Sequence, residues 1–151
     1  MVFAFFLLTG VALLALSSFS LAPVLSSGIL FFVWFGYGFF RFSFGLLEGL
    51  VLLTVFSAFL SLFSGMNLVY SFLFLGLPMA MPLFFVKTFA KFQPRVKTLI
   101  GGLVYLNLSF AAAAWLFKVK DFNLYFLAIL IFLAVLALEF MAAKILKKKG
   151  E

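Results

Sequence analysis

A chain of 151 residues that is 68% hydrophobic and only 10% charged falls outside the range of soluble domains, which hold about 45–50% apolar and about 25% charged residues. It has no cysteine and no histidine, which removes disulfides, thiol nucleophiles and the usual zinc and haem ligands. The net charge of +7 invites a nucleic-acid partner, but the basic residues gather at the ends of apolar segments, the pattern by which membrane proteins set their orientation.

The composition predicts an all-α integral membrane protein, a single polytopic membrane domain over residues 1–151, with six transmembrane helices. Each span needs about 20 apolar residues, so six use nearly the whole chain. The first covers about 2–20. It lacks the basic flank and small-residue cleavage site of a signal peptide, so it reads as a retained helix. Pro23 and Ser26-Ser27-Gly28 then predict a turn. The second span, about 29–41, is short, is interrupted by Gly36 and Gly38, and ends on Arg41.

The third span, about 44–64, contains Glu48. An acid in the first turns of a helix is favoured by the positive partial charge of that end, and Arg41 is a candidate partner across the turn. The other reading of Glu48 is an acid that docks a basic group of a neighbouring helix. Gly45, Gly49, Thr54, Ser57, Ser61 and Ser64 step along one face, with Ala58 and Gly65 beside it, and Leu47, Val51, Val55, Phe59 and Leu62 stand opposite. Small residues let helix backbones approach closely, and hydroxyls can bond across the contact. This predicts a smooth face turned inward, for bundle packing or for lining a substrate cavity.

"SGMN" closes the span as a tight loop. The fourth span, about 67–89, holds Pro78 and Pro82, each of which removes a backbone donor and bends a helix. The fifth, about 96–117, places Asn107 midway and carries "AAAAW" at 111–115; the sixth, about 122–146, contains Glu139 and leads into a lysine-rich tail. Glu139 is the deepest acid, and it reads either as paired with a nearby lysine or as a functional intramembrane acid. The 26 phenylalanines read as lipid-facing bulk.

Six spans put Arg41, Lys87, Lys91, Arg95, Lys97, Lys144, Lys147, Lys148 and Lys149 on one side and leave Lys118 and Lys120 on the other. The first side is then cytoplasmic, with both termini inside. The four acids, Glu48, Asp121, Glu139 and Glu151, are too scattered for a carboxylate metal cluster. No nucleophile–base pair or phosphate loop appears, so no enzyme, cofactor or metal is expected.

From Arg41 to Gly65, "R…GLLEGLVLL…LFSG" resembles the rod shape-determining protein MreD family. Gly45, Glu48, Gly49, Phe63, Ser64 and Gly65 match in order and spacing, and "SS…LAP" at 17–23 is similar to that family's first helix and turn. Ser61 stands where the family usually has Asp, and Val69 where it often has Gly.

The resemblance implies a non-enzymatic scaffold or regulator of the bacterial cell-elongation machinery, in the inner (plasma) membrane. It would bind the single-span protein MreC and help regulate peptidoglycan synthesis by RodA and its penicillin-binding transpeptidase. Gly45, Glu48, Gly49, Ser57, Ser61, Ser64 and Gly65 are then the helix-packing or partner-binding residues. The family is also similar in fold to the S-components of energy-coupling-factor transporters, so the alternative is a vitamin-binding subunit of such a transporter. Against it, Ala4, Ala12 and Ala15 do not have that group's alanine spacing, and the outer half offers few polar groups: Asn67, Tyr70, Ser71, Asn123 and Tyr125.

Overall fold

The computed structural model describes residues 1–19, 29–42, 44–89, 91–118 and 121–149. Among them the regular structure is entirely helical: α1 (Val2–Phe19), α2 (Ile29–Phe42), α3 (Leu46–Ser64), α4 (Leu68–Phe89), α5 (Pro94–Phe117) and α6 (Phe122–Lys149). The boundaries fall within three residues of those expected. The predicted turn at Pro23 and Ser26–Gly28, and Lys120, lie outside the described residues. Among the described residues three helices are long and apolar enough to cross a membrane: α3, α5 over Pro94–Leu116, and α6 over Phe122–Lys147. By length and composition this is a multi-pass membrane protein.

The ends of the helices follow from local chemistry. Gly65 closes α3 in the left-handed conformation with φ 69°, the usual role of glycine just past a helix. Pro94 opens α5, where its missing N–H costs nothing. Lys118 ends that helix at φ 55°. α4 runs through both Pro78 and Pro82 without a break.

The bundle is organised by aromatic rings seated on glycines. Gly38 of α2 lies against the ring of Phe6, and Gly10 of α1 lies against Phe56 and Trp34. Gly36 faces Tyr105, so close that a Cβ there would stand 2.8 Å from the ring. Gly101 and Gly102 of α5 receive Phe40 of α2 and Phe132 of α6.

These pairs also fix direction. α1 and α5 run antiparallel to α2, as 10 pairs with 34 and 6 with 38, and 36 with 105 and 40 with 101. α5 and α6 are antiparallel in one register, from Arg95 opposite Phe140 through Gly102 opposite Phe132 to Phe110 opposite Phe122. α2 packs against α1, α5 and α6, α3 against α1 and α4, and α4 against α5. A ring of α1, α3, α4, α5 and α2 results, with α6 braced on α2 and α5.

The centre is aromatic. Phe6, Phe31, Phe35, Phe39, Phe56 and Tyr105 are buried together with Leu52, Leu75 and Met79. Phe6 stacks on Trp34 with centroids 3.9 Å apart. A second cluster of Ile29, Val33, Leu106, Ala128 and Phe132 joins α2, α5 and α6. The reading of phenylalanine as lipid-facing bulk is therefore corrected: many of the rings fill the interior. Hydrocarbon offers helices no hydrophobic drive to associate, so tight ring-to-backbone packing supplies the contact instead.

Candidate functional site

The fold gathers Arg41 at the C-terminal end of α2, Arg95 and Lys97 at the start of α5, and Lys144 and Lys147 near the end of α6 at one end of the bundle. Within this basic end lies a charged node. Tyr37 and Arg41, one turn apart on α2, both point at Glu139 of α6. The Tyr37 hydroxyl donates to Glu139 Oε2 at 2.9 Å. Arg41 Nε donates to Oε1 at 2.8 Å, and Arg41 Nη2 stands 2.8 Å from the same oxygen. Both carboxylate oxygens are thus engaged. The node clamps α2 to α6 and neutralises the deepest acid.

This overturns two pairings expected from sequence. Arg41 bonds Glu139, not Glu48, and Glu139 takes Arg41 rather than a tail lysine. Glu48 instead turns back on its own helix, where Gly45 N donates to Glu48 Oε2 at 2.9 Å. That is the half of a capping box which a glycine N-cap allows. The physical reason is reach: an acid at the third helical position meets the orphan N–H groups of its own first turn before any side chain across the loop.

The remaining α3 residues divide between the caps and the packing surface. Ser61 Oγ donates to the Met66 carbonyl at 2.6 Å, and Ser64 Oγ to the Leu60 carbonyl at 2.5 Å. The Met66 amide in turn donates to Ser64 Oγ at 3.3 Å. With Gly65 these bonds tie the end of α3 to its loop. Thr54 Oγ1 donates to the Leu50 carbonyl of its own helix.

Gly49 lies beside the Phe39 ring, whose edge is 3.3 Å from where a Cβ would stand. Ser57 is fully buried, whereas Gly45, Thr54, Ser64 and Gly65 are exposed. The inward face of α3 carries Leu52, Phe56 and Ser57, flanked by Leu53, Leu60 and Phe63. It is therefore bulky rather than smooth. Leu47, Val51 and Leu62 lie exposed on the opposite side, and Phe59 packs at the edge of the core.

Toward the other end, Asn107 joins α5 to α6. Its amide donates to the Leu103 carbonyl at 2.8 Å, and its carbonyl oxygen accepts a short bond from the Tyr125 hydroxyl. Phe110 packs on the Tyr125 ring with centroids 4.7 Å apart. The buried hydroxyls of Ser57 and Ser71 have no hydrogen-bond partner among the described residues. In the alanine stretch Ala112 is buried, but Trp115 is exposed.

Between α5 and α6 at the basic end a cavity of about 280 Å³ opens, lined by Arg95, Leu99, Leu133, Leu136, Ala137 and Phe140 and touched by Glu139. Among the described residues no three histidine, cysteine or carboxylate side chains gather as metal ligands.

Sequence reasoning missed the node's third member, Tyr37, and the ring-on-glycine seats. The signal for the first was present. Tyr37 and Arg41 share a helix face by their spacing of four, and an intramembrane acid calls for such partners. No protein-family model, curated protein or solved structure matches the chain.

Proposed function

We propose that this is a six-span protein of the bacterial plasma membrane, with both termini cytoplasmic, that acts as a non-enzymatic scaffold of the cell-elongation machinery. Its partner is a single-span protein of the MreC type, and through it RodA and the associated transpeptidase. The resemblance from Gly45 to Gly65 supports the reading, and the gathering of basic residues at one end supports the orientation.

The observation that carries it is the distribution of apolar surface. Rings fill the centre, while only 17% of the α3 span and 11% of the α6 span is buried. On α3 the uncovered face presents Leu47, Leu50, Val51 and Leu62 around Thr54. That face is long enough to seat a partner helix, with a small residue at its middle for close approach.

One observation favours the alternative, a vitamin-binding transporter subunit: the unpartnered hydroxyls of Ser57 and Ser71 are groups that a polar solute would satisfy. The two readings separate in one experiment. Depletion in a rod-shaped host should round the cells. The wild-type chain should restore shape, and a Thr54→Trp chain that still accumulates in the membrane should not. Unchanged cell shape on depletion, together with a vitamin-dependent rise in the melting temperature of the purified protein, rejects the scaffold.

A further inference from the structure

We propose that the cavity between α5 and α6 at the basic end binds one anionic phospholipid, with its phosphate on Arg95 and the start of an acyl chain along Leu99, Leu133 and Leu136. Three observations converge on that occupant. The first is shape. The α5–α6 seam is shut toward the other end, where Phe132 seats on Gly102 and Tyr125 bonds Asn107, but it opens into a cavity of about 280 Å³ beside Arg95. That is room for part of a chain and not for a helix.

The second is lining. Leu99, Leu133, Leu136 and Ala137 are apolar, and both charged groups sit at residues 95 and 139. A lipid has that same order, an apolar tail under a charged head.

The third is charge. Arg95 is exposed and lies over the Phe140 ring, 5.6 Å from its centroid, and among the described residues the salt bridge is that of Arg41 with Glu139, which leaves Arg95 with no carboxylate there. Glu139 does not repel an incoming phosphate, because Arg41 and Tyr37 already occupy its two oxygens. Lys144 and Lys147 stand exposed one and two turns beyond Phe140, so the whole mouth is cationic. A guanidinium binds phosphate oxygens through two parallel N–H bonds, and basic pockets between membrane helices are suited to anionic headgroups. The stacking on Phe140 holds Arg95 over the mouth and lowers the entropy lost when it binds.

The test uses the full chain, purified and stripped of lipid in a mild detergent. Phosphatidylglycerol and phosphatidylcholine with identical chains are titrated in turn, and bound lipid is counted by native mass spectrometry alongside the melting temperature. One phosphatidylglycerol should bind saturably and raise the melting temperature, with phosphatidylcholine at least about tenfold weaker, a difference of about 1.4 kcal/mol.

Arg95→Gln should bring phosphatidylglycerol down to the phosphatidylcholine level. Leu133→Trp, which fills the groove from an edge already 41% exposed, should weaken both lipids and leave the lipid-free melting temperature unchanged. Equal binding of the two lipids by the wild-type protein would overturn the site. So would unaltered selectivity in Arg95→Gln, or an equal shift with inorganic phosphate alone.

Discussion

α2 and α6 are both strongly apolar helices, yet they occupy opposite environments. α2 buries Ile29, Phe31, Val33, Phe35, Gly36, Gly38 and Phe39 within fourteen residues. α6 is twice as long and leaves Phe126, Leu130, Leu138 and Met141 exposed. Hydrophobicity does not separate them, since a membrane helix is apolar whether it faces lipid or protein. What distinguishes α2 is a pair of glycines that admit rings from α1 and α5, and an arginine one turn after a tyrosine that reaches α6. Position in this bundle follows from vacancies matched to rings and from paired polar groups.

The largest test of that contrast replaces a vacancy. Any side chain at Gly38 overlaps the Phe6 ring, and Phe6 has no room to move, being buried against Trp34, Phe35 and Phe44. Overpacking a well-filled core costs about 1–3 kcal/mol, occasionally more. A leucine driven into a ring seat at the bundle's middle belongs at or above the top of that range. Gly38→Leu should yield no monodisperse protein on size exclusion in detergent. Leu138→Ala on the open face of α6 should be indistinguishable from wild type. If both behave alike, the ring seats do not organise the fold.

A smaller effect sharpens the comparison within one helix. Ser57 and Thr54 lie one turn apart on α3, the first fully buried and the second exposed. Ser57→Leu should lower the stability by about 1–3 kcal/mol, read as a drop in melting temperature. Thr54→Leu should change it by less than about 0.5 kcal/mol. Equal losses would mean that the face drawn as open is covered in the purified protein.

Next comes the node that binds the buried helix to the peripheral one. The Arg41 and Glu139 side chains are 34% and 22% exposed, so solvent and headgroup screening reduce the interaction below that of a buried pair. A double-mutant cycle with Arg41→Gln and Glu139→Gln should give a coupling of about 1 kcal/mol. Glu139→Gln alone should be the more harmful single change, because it leaves the arginine without its carboxylate. A coupling near zero would show that α6 is held by its apolar contacts alone.

How much of this was legible follows from the same physics. Helix number and ends were readable because apolar runs, Pro94, Gly65 and the lysine clusters are local signals. The acid at residue 48 was placed correctly at a helix start, but its partner was not, since capping by Gly45 competes with the longer reach to Arg41. The interior was read in part: Ser57 faces inward and Leu47, Val51 and Leu62 outward as expected, but the rings that fill the centre were assigned to lipid. Phenylalanine is compatible with lipid and with core, and nothing within α2 alone says that Gly36 and Gly38 await rings from residues 105 and 6. Glu139 with Tyr37 and Arg41 is separated by about a hundred positions, and only the docking of α6 on α2 brings them together.

The smallest expected effect lies at the closed end of the α5–α6 seam. Tyr125 donates to Asn107, and the bond is the polar counterpart, between α5 and the peripheral α6, of the charged node at the basic end. Interhelical hydrogen bonds in membranes average only about 0.6 kcal/mol, because the separated helices find other partners for the same groups. Here Asn107 already has the Leu103 carbonyl for its amide, and the Tyr125 ring keeps its packing on Phe110 and Phe126. Tyr125→Phe should therefore lower the stability by about 0.6 kcal/mol or less. Asn107→Leu should cost more than Tyr125→Phe, since it leaves the Tyr125 hydroxyl without its acceptor. A loss above about 2 kcal/mol for Tyr125→Phe would place the hydroxyl in a buried network, and α6 would then be held at both ends by polar bonds rather than at one.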